Sequence, residues 1–225
     1  MSATDSGHDA PRHDAAVHGA HASPAEASHP LLRYAGPGSW LTAARFSLLM
    51  AVLLGLLYPL VVVGVGQLGF SHQANGSLLA DAQGRIIGSS LVGQAFTSDR
   101  YFQGRPSAVD YAADTLGGSN LAPSNPALRQ RAEADARRIT ARDGVAPGRI
   151  PVDLLTASGS GIDPHISPQA AAIQVARVAH ARGLREADVR GLVARYSESG
   201  GLGQPRVAIL PLNLALDGIA VRPLP

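Results

Sequence analysis

The densest group of chemically capable side chains is the run Thr156-Ala157-Ser158-Gly159-Ser160-Gly161-Ile162-Asp163-Pro164-His165-Ile166-Ser167. A serine hydrolase needs a nucleophilic Ser, a His and an acid converging in space. Ser158 or Ser160, with Asp163 and His165, supplies those three types. All of them fall within ten residues on one stretch, however, and no G-x-S-x-G elbow is formed. Asp163 and His165 would also offer two ligands to a metal, but a catalytic metal usually takes a third, and no H-E-x-x-H helix is present. The competing, structural account has Ser and Asp closing turns and Ser167 capping the helix that follows, and it is the favoured one. A second cluster, Leu116-Gly117-Gly118-Ser119-Asn120, could turn backbone N–H groups toward an anion such as a phosphate, although turn chemistry explains the same residues.

What is missing narrows the chemistry further. The 225 residues contain no Cys, which removes disulfides, thiolate nucleophiles, Cys-ligated zinc and iron–sulfur clusters. They also contain no Lys, since all 19 basic residues are Arg. A Walker-A lysine, a Schiff base and a pyridoxal-phosphate anchor are therefore excluded. The formal net charge is only +2 and the arginines are scattered, so nothing resembles a face for nucleic acid.

Three segments must carry these clusters. Residues 1–40 form a His- and Ala-rich tail without hydrophobic period, expected to be disordered. It holds His8, His13, His18, His21 and His29, five of the eight histidines, at spacings too irregular to fix a ligand geometry. Residues 43–69 are expected to be a transmembrane helix. Within them Phe46–Gly66 carries no charge, and its 21 residues at 1.5 Å each reach roughly 31 Å, a bilayer's hydrocarbon thickness. A cleaved signal peptide would have a shorter apolar region and would seldom follow such a long polar tail. Ser47, Ala51 and Gly55 recur every fourth residue and Pro59 continues the stripe, so one face offers close approach to a partner helix. The Pro59 ring crowds the carbonyl of residue 55, where Gly55 leaves the backbone room to adjust.

Residues 72–225 are expected to form one soluble α+β domain, long enough to fold alone. A hairpin is predicted from Ser77–Leu79 and Arg85–Leu91 around Asp81-Ala82-Gln83-Gly84, then a long ordered loop over 99–126. A helix is predicted over Pro126–Asp143, capped by Asn125 and stopped by Gly144, with a Glu133–Arg137 pair. Further expectations are a strand over Pro151–Thr156, one helix from Ser167-Pro168 to Gly183, another over Glu186–Tyr196, and a last strand over Pro205–Leu210.

Taken in order, a set of short stretches resembles the KdpC family, the C subunits of Kdp-type potassium-transporting ATPases. They include Gln73-Ala74-Asn75-Gly76-Ser77-Leu78, Gly93-Gln94 with Phe96, Tyr101-Phe102 and Gly104-Arg105-Pro106-Ser107-Ala108. Gly117-Gly118-Ser119-Asn120-Leu121, Ser124-Asn125-Pro126, Pro151-Val152-Asp153-Leu154 and Thr156-Ala157-Ser158 follow. Pro168-Gln169-Ala170-Ala171, Arg177-Val178-Ala179, Gly203-Gln204-Pro205 and Asn213-Leu214-Ala215-Leu216-Asp217 complete the set. The likeness runs from about Arg45 to Asp217 and leaves the His-rich tail without a counterpart.

The resemblance implies a non-catalytic, single-pass subunit of a high-affinity potassium importer. Its implied partners are a channel-like potassium-binding subunit and a P-type ATPase subunit. The implied role is assembly, together with that of a catalytic chaperone raising the ATPase subunit's affinity for ATP. Gly117, Gly118, Ser119 and Asn120 are the stretch likened to a nucleotide-associated signature, although Leu116 stands where a small residue is more usual. Two rival functions come from the residues alone: an anchored serine hydrolase using Ser158 or Ser160 with Asp163 and His165, and a metal chaperone using the His-rich tail. The implied location is the bacterial inner membrane. Arg33 and Arg45 flank the start of the span while the next basic residue is Arg85, so the positive-inside rule puts the tail in the cytoplasm and the domain in the periplasm.

Overall fold

In the computed structural model, residues 38–199 and 203–224 are described. The histidines of the tail lie outside them. By its contacts the chain divides into residues 1–59 and 60–225.

Ser39–Gly69 is a 31-residue apolar helix, the one helix among the described residues long and apolar enough to cross a membrane. It consists of α1 (Ser39–Val52), a π-helical turn (Leu53–Leu57) and α2 (Tyr58–Gly69). The adjustment expected near Pro59 therefore takes the form of a wide turn centred on Gly55, in which the Tyr58 N–H donates to the Leu53 carbonyl. Ser47, Ala51, Gly55 and Pro59 are all exposed, and a Cβ added at Gly55 would meet nothing within 4 Å.

After the span, α3 (Ser71–Ala74) leads into β1 (Leu78–Ala80) and β2 (Ile86–Ser89), the expected hairpin. Its turn is closed by Asp81, whose carboxylate accepts the N–H groups of Gln83 (3.0 Å) and Arg85 (2.8 Å) and the Arg85 Nε–H (2.7 Å). The Arg85 amide, against the cost of desolvation, holds the Asp81 carboxyl below its ordinary range. Gly84 supplies the positive φ of +80° that the turn requires. β6 (Arg222–Pro223) completes an antiparallel sheet in the order β2-β1-β6.

The predicted helix α4 (Pro126–Asp143) is present with its predicted ends. Asn125 Oδ1 accepts the Ala127 N–H at 2.9 Å, and Gly144 adopts φ +68°. Glu133 faces Arg129 at 3.8 Å rather than Arg137, the same helical spacing taken in the other direction.

The second sheet orders β3 (His165–Ile166), β5 (Arg206–Ala208) and β4 (Ser197–Glu198), all antiparallel. Of the next three helices, α5 (Pro168–Ala172) packs on β5, while α6 (Val175–Arg182) and α7 (Glu186–Arg195) pack on each other and share the same buried cluster. The single helix expected from Ser167 to Gly183 is thus two, and the break falls at Gln174. Its buried amide bonds the Ala170 carbonyl (3.1 Å) and reaches across to Gln103, which draws the backbone out of a continuous ladder.

Two other expectations are corrected. Pro151–Thr156 holds a 3₁₀ turn (Val152–Leu154) instead of a strand: Leu154 is buried while the Asp153 carboxylate is directed to Ser167. The strand expected over Pro205–Leu210 stops at Ala208, and Ile209 opens α8 (Ile209–Leu216). Pro211 hides this helix in the sequence, yet it sits in the first turn, where its missing N–H breaks no intrahelical bond. α8 is buried on most of its circumference and joins two cores. Ile209 and Leu212 enter the main cluster with Phe102, Ile139, Ile166, Val178, Val189 and Val207, while Leu210 and Leu214 enclose Leu79 of the first sheet.

Candidate functional site

The two polar clusters, far apart in sequence, form one assembly. The Gly117 N–H donates to the Ser160 carbonyl at 3.0 Å. A Cβ on Gly118 would stand 3.2 Å from the Gly159 carbonyl oxygen. Gly161, at φ +75°, has room for no side chain: a Cβ there would come within 2.4 Å of Val109 Cγ2 and 2.7 Å of the Gly117 carbonyl oxygen.

Residues 105–107 stitch the clusters together. The Ser158 N–H donates to the Pro106 carbonyl (3.0 Å), and Ser107 Oγ donates to the Gly161 carbonyl (2.7 Å). The same Ser107 oxygen accepts the N–H groups of Val109 and Tyr111. Arg105 reaches the Asp163 carboxylate at 3.0 Å and, with longer contacts, the carbonyls of Thr156 and Ala157. The Tyr111 hydroxyl donates to the Arg105 carbonyl (2.6 Å). Burial, with the nearby Asp163 charge adding to it and Arg105 opposing, pushes this phenol up to about 12, so it serves as a donor throughout the physiological range.

The three hydrolase groups are close but differently engaged. Ser158 Oγ accepts the Gly161 N–H (2.7 Å), and Ser160 Oγ accepts the Ile162 N–H (3.2 Å). Asp163 Oδ1 accepts the His165 backbone N–H (3.0 Å), while His165 Nδ1 stands 3.7 Å from the same oxygen. Desolvation disfavours the Asp163 anion, but its bonds from His165 and Arg105 outweigh that and hold the carboxyl below its ordinary range. Each hydroxyl thus closes a turn, and the hydrogen bonds of Ser158 and Ser160 run to Gly161, to Ile162 and to each other rather than to the imidazole. Ser167 caps α5 as expected, accepting the Ala170 N–H, and is itself held by Asp153 through both its N–H (2.8 Å) and its hydroxyl (3.1 Å). Among the described residues no group of three His, Asp or Glu side chains could hold a metal ion.

A further polar network lies around residues 99–103, within the stretch expected only to be a long loop. Asn213, fully buried, accepts the Phe102 N–H at 2.9 Å and donates to the Phe102 carbonyl at 2.9 Å. Gln174, also fully buried, does the same for the next residue, accepting the Gln103 N–H (2.8 Å) and donating to its carbonyl (3.1 Å). Two side-chain amides therefore take the place of two neighbouring strands. Arg177 donates to the carbonyls of Asp99 and Tyr101 and pairs with the buried Asp143 at 2.6 Å. Arg182 bonds the Arg100 carbonyl and Asp217, and lies 5.0 Å over the Tyr101 ring. Sequence reasoning passed over these residues as candidates in their own right. The legible signal was a single amide, Asn213, inside the apolar run Ile209–Leu216.

Span, hairpin and amide-clamped core define a single-pass membrane protein with one α+β domain whose polar clusters chiefly hold its own loops together. The family model KdpC, K+-transporting ATPase c chain, matches residues 40–218. The chain is 51% identical over 181 residues to a potassium-transporting ATPase KdpC subunit of Gloeobacter violaceus, covering 79% of this chain and 95% of that one. It is 54% identical to the KdpC subunit of Sorangium cellulosum (76% and 93% covered) and 46% identical to that of Synechocystis sp. (80% and 97% covered). The chain belongs to the KdpC family of potassium-transporting ATPase subunits.

Proposed function

We propose that this subunit assembles the channel-like potassium-binding subunit and the P-type ATPase subunit of an ATP-driven, high-affinity importer, and raises the latter's affinity for ATP. The observation that carries the proposal is the family match, which takes in span and domain as one continuous piece from residue 40 to residue 218. In this reading the tail is cytoplasmic and the domain periplasmic, following Arg33 and Arg45 on one side of the span against Arg85 on the other. ATP then binds the ATPase subunit, and this chain acts on it by contacting one of that subunit's conformations better than the other. The engagement of the Gly117 N–H by Ser160 supports that indirect route over a phosphate cradle at Gly117–Asn120.

Protease added to sealed, right-side-out vesicles tests the orientation. Digestion of the domain from outside is expected. Protection until lysis would reverse the topology and restore direct ATP contact as the better account.

Ala51→Leu and Gly55→Leu, on the small-residue face of the span, should lower the yield of assembled complex in detergent while membrane insertion persists. Unchanged yields from both variants would remove that face from assembly.

His165→Ala and Ser160→Ala should leave the potassium-stimulated ATPase activity of the whole complex largely intact, since the contacts they remove only close turns, where a hydrogen bond is worth about 0.5–1.5 kcal/mol. A large fall in kcat with assembly preserved would return these residues to chemistry.

A further inference from the structure

We propose that the open end of the β1–β2 hairpin is a lipid-contact surface, with Leu91 and Phe70 seated at the boundary between headgroups and acyl chains. The inference rests on Ser39–Gly69 being the membrane span. Depth is fixed by the way the chain turns back after that helix. Ala74 folds against the last helical turns, its Cβ 3.7 Å from where a Cβ on Gly66 would lie. The amides of Gln67 and Asn75 pair at 3.2 and 3.4 Å. Residues 74–75 therefore stand level with Gly66 and Gln67, at the end of the apolar run.

The far strand of the hairpin is tied to the same level. Ser89 Oγ donates to the Gly76 carbonyl (2.7 Å), the Ser90 N–H donates to the Ser77 carbonyl (3.0 Å), and the Leu91 N–H donates to Ser89 Oγ (3.1 Å). Leu91 is thereby held beside the juxtamembrane turn, yet it is 61% exposed, and Phe70 is 60% exposed. Charge is sorted along the hairpin in the same sense. Asp81 and Arg85 occupy its distant turn, while residues 66–80 and 86–98 contain no Asp, Glu or Arg. A surface of this kind binds by apolar area without a basic cluster, so its lipid contact should not depend on anionic headgroups or on salt.

The test uses the full-length chain in phosphatidylcholine vesicles, with Trp40→Phe removing the only native Trp. Into that background go, singly, Leu91→Trp, Gln83→Trp at the distant turn, and Val61→Trp within the span. The Leu91→Trp indole should emit to the blue of the Gln83→Trp indole and lose emission to lipids brominated near the headgroup, with and without added phosphatidylglycerol. The Val61→Trp indole should be quenched by more deeply placed bromines. Emission from position 91 as red and as unquenched as that from position 83 would overturn the lipid contact, with the span left standing if position 61 is quenched. Loss of quenching at 61 as well would refute the span itself. Because the chain has no Cys, a spin label on Leu91→Cys gives a second measurement. Greater collision with oxygen than with a water-soluble nickel chelate supports the proposal, and the reverse order overturns it.

Discussion

Replacing Asn213 with Leu, similar in branched shape but bulkier and without an amide, is expected to lower the stability of the domain by roughly 2–4 kcal/mol, or about 5–15 °C in Tm. Among the described residues, Asn213 is the sole hydrogen-bond partner of both the N–H and the carbonyl of Phe102, and the site is fully buried. Each buried backbone group left without a partner costs about 1–3 kcal/mol, while the added methyl groups return only part of that in a core already filled by Phe102 and Leu212. A thermal melt of the detergent-solubilised protein measures the change. A Tm equal to that of the parent would show that residues 99–103 are fixed by other contacts.

The second large effect is expected at Asp143. Its side chain is wholly buried, with one oxygen accepting the Arg177 Nε–H at 2.6 Å and the other accepting the Arg142 Nε–H at 3.0 Å. Asp143→Ala leaves two guanidinium groups beside each other with no counter-charge, a change worth about 3–5 kcal/mol in a buried pair. Removing the opposing charge too should restore part of the loss, so Asp143→Leu combined with Arg177→Met should melt above Asp143→Ala. Recovery is incomplete because Arg177 also binds the carbonyls of Asp99 and Tyr101. A double variant no more stable than the single one would show that Arg177 acts mainly through those carbonyls.

These two sites also mark where sequence reasoning stopped. Local signals were readable wherever a residue acts on its own neighbourhood. Asn125, Pro126 and Gly144 bounded α4, Ser167 capped α5, and the Asp81–Gly84 stretch turned the hairpin. Misreadings arose where distant residues decide the backbone. Gln174 breaks a helix because its amide is needed at Gln103, 71 positions away. The apolar run Pro205–Leu210 divides between strand and helix because β5 pairs on both sides while α8 fills two cores. The turn-forming character of the polar run 156–167 is legible in its Ser, Gly and Asp residues, but its dependence on Arg105 and Ser107 is carried by contacts more than 50 residues apart.

The Asn213 clamp has a consequence in time as well as in space. It spans 111 residues, so as the chain is made the 99–103 segment exists long before the side chain that will hold it. α4, whose caps are local, can form at once, whereas Phe102 has nowhere to dock until α8 has emerged and closed that long loop. The domain therefore matures from its far end backward. Ribosome-bound chains halted before residue 213 should carry a protease-sensitive site at 99–103 that vanishes abruptly once α8 is released.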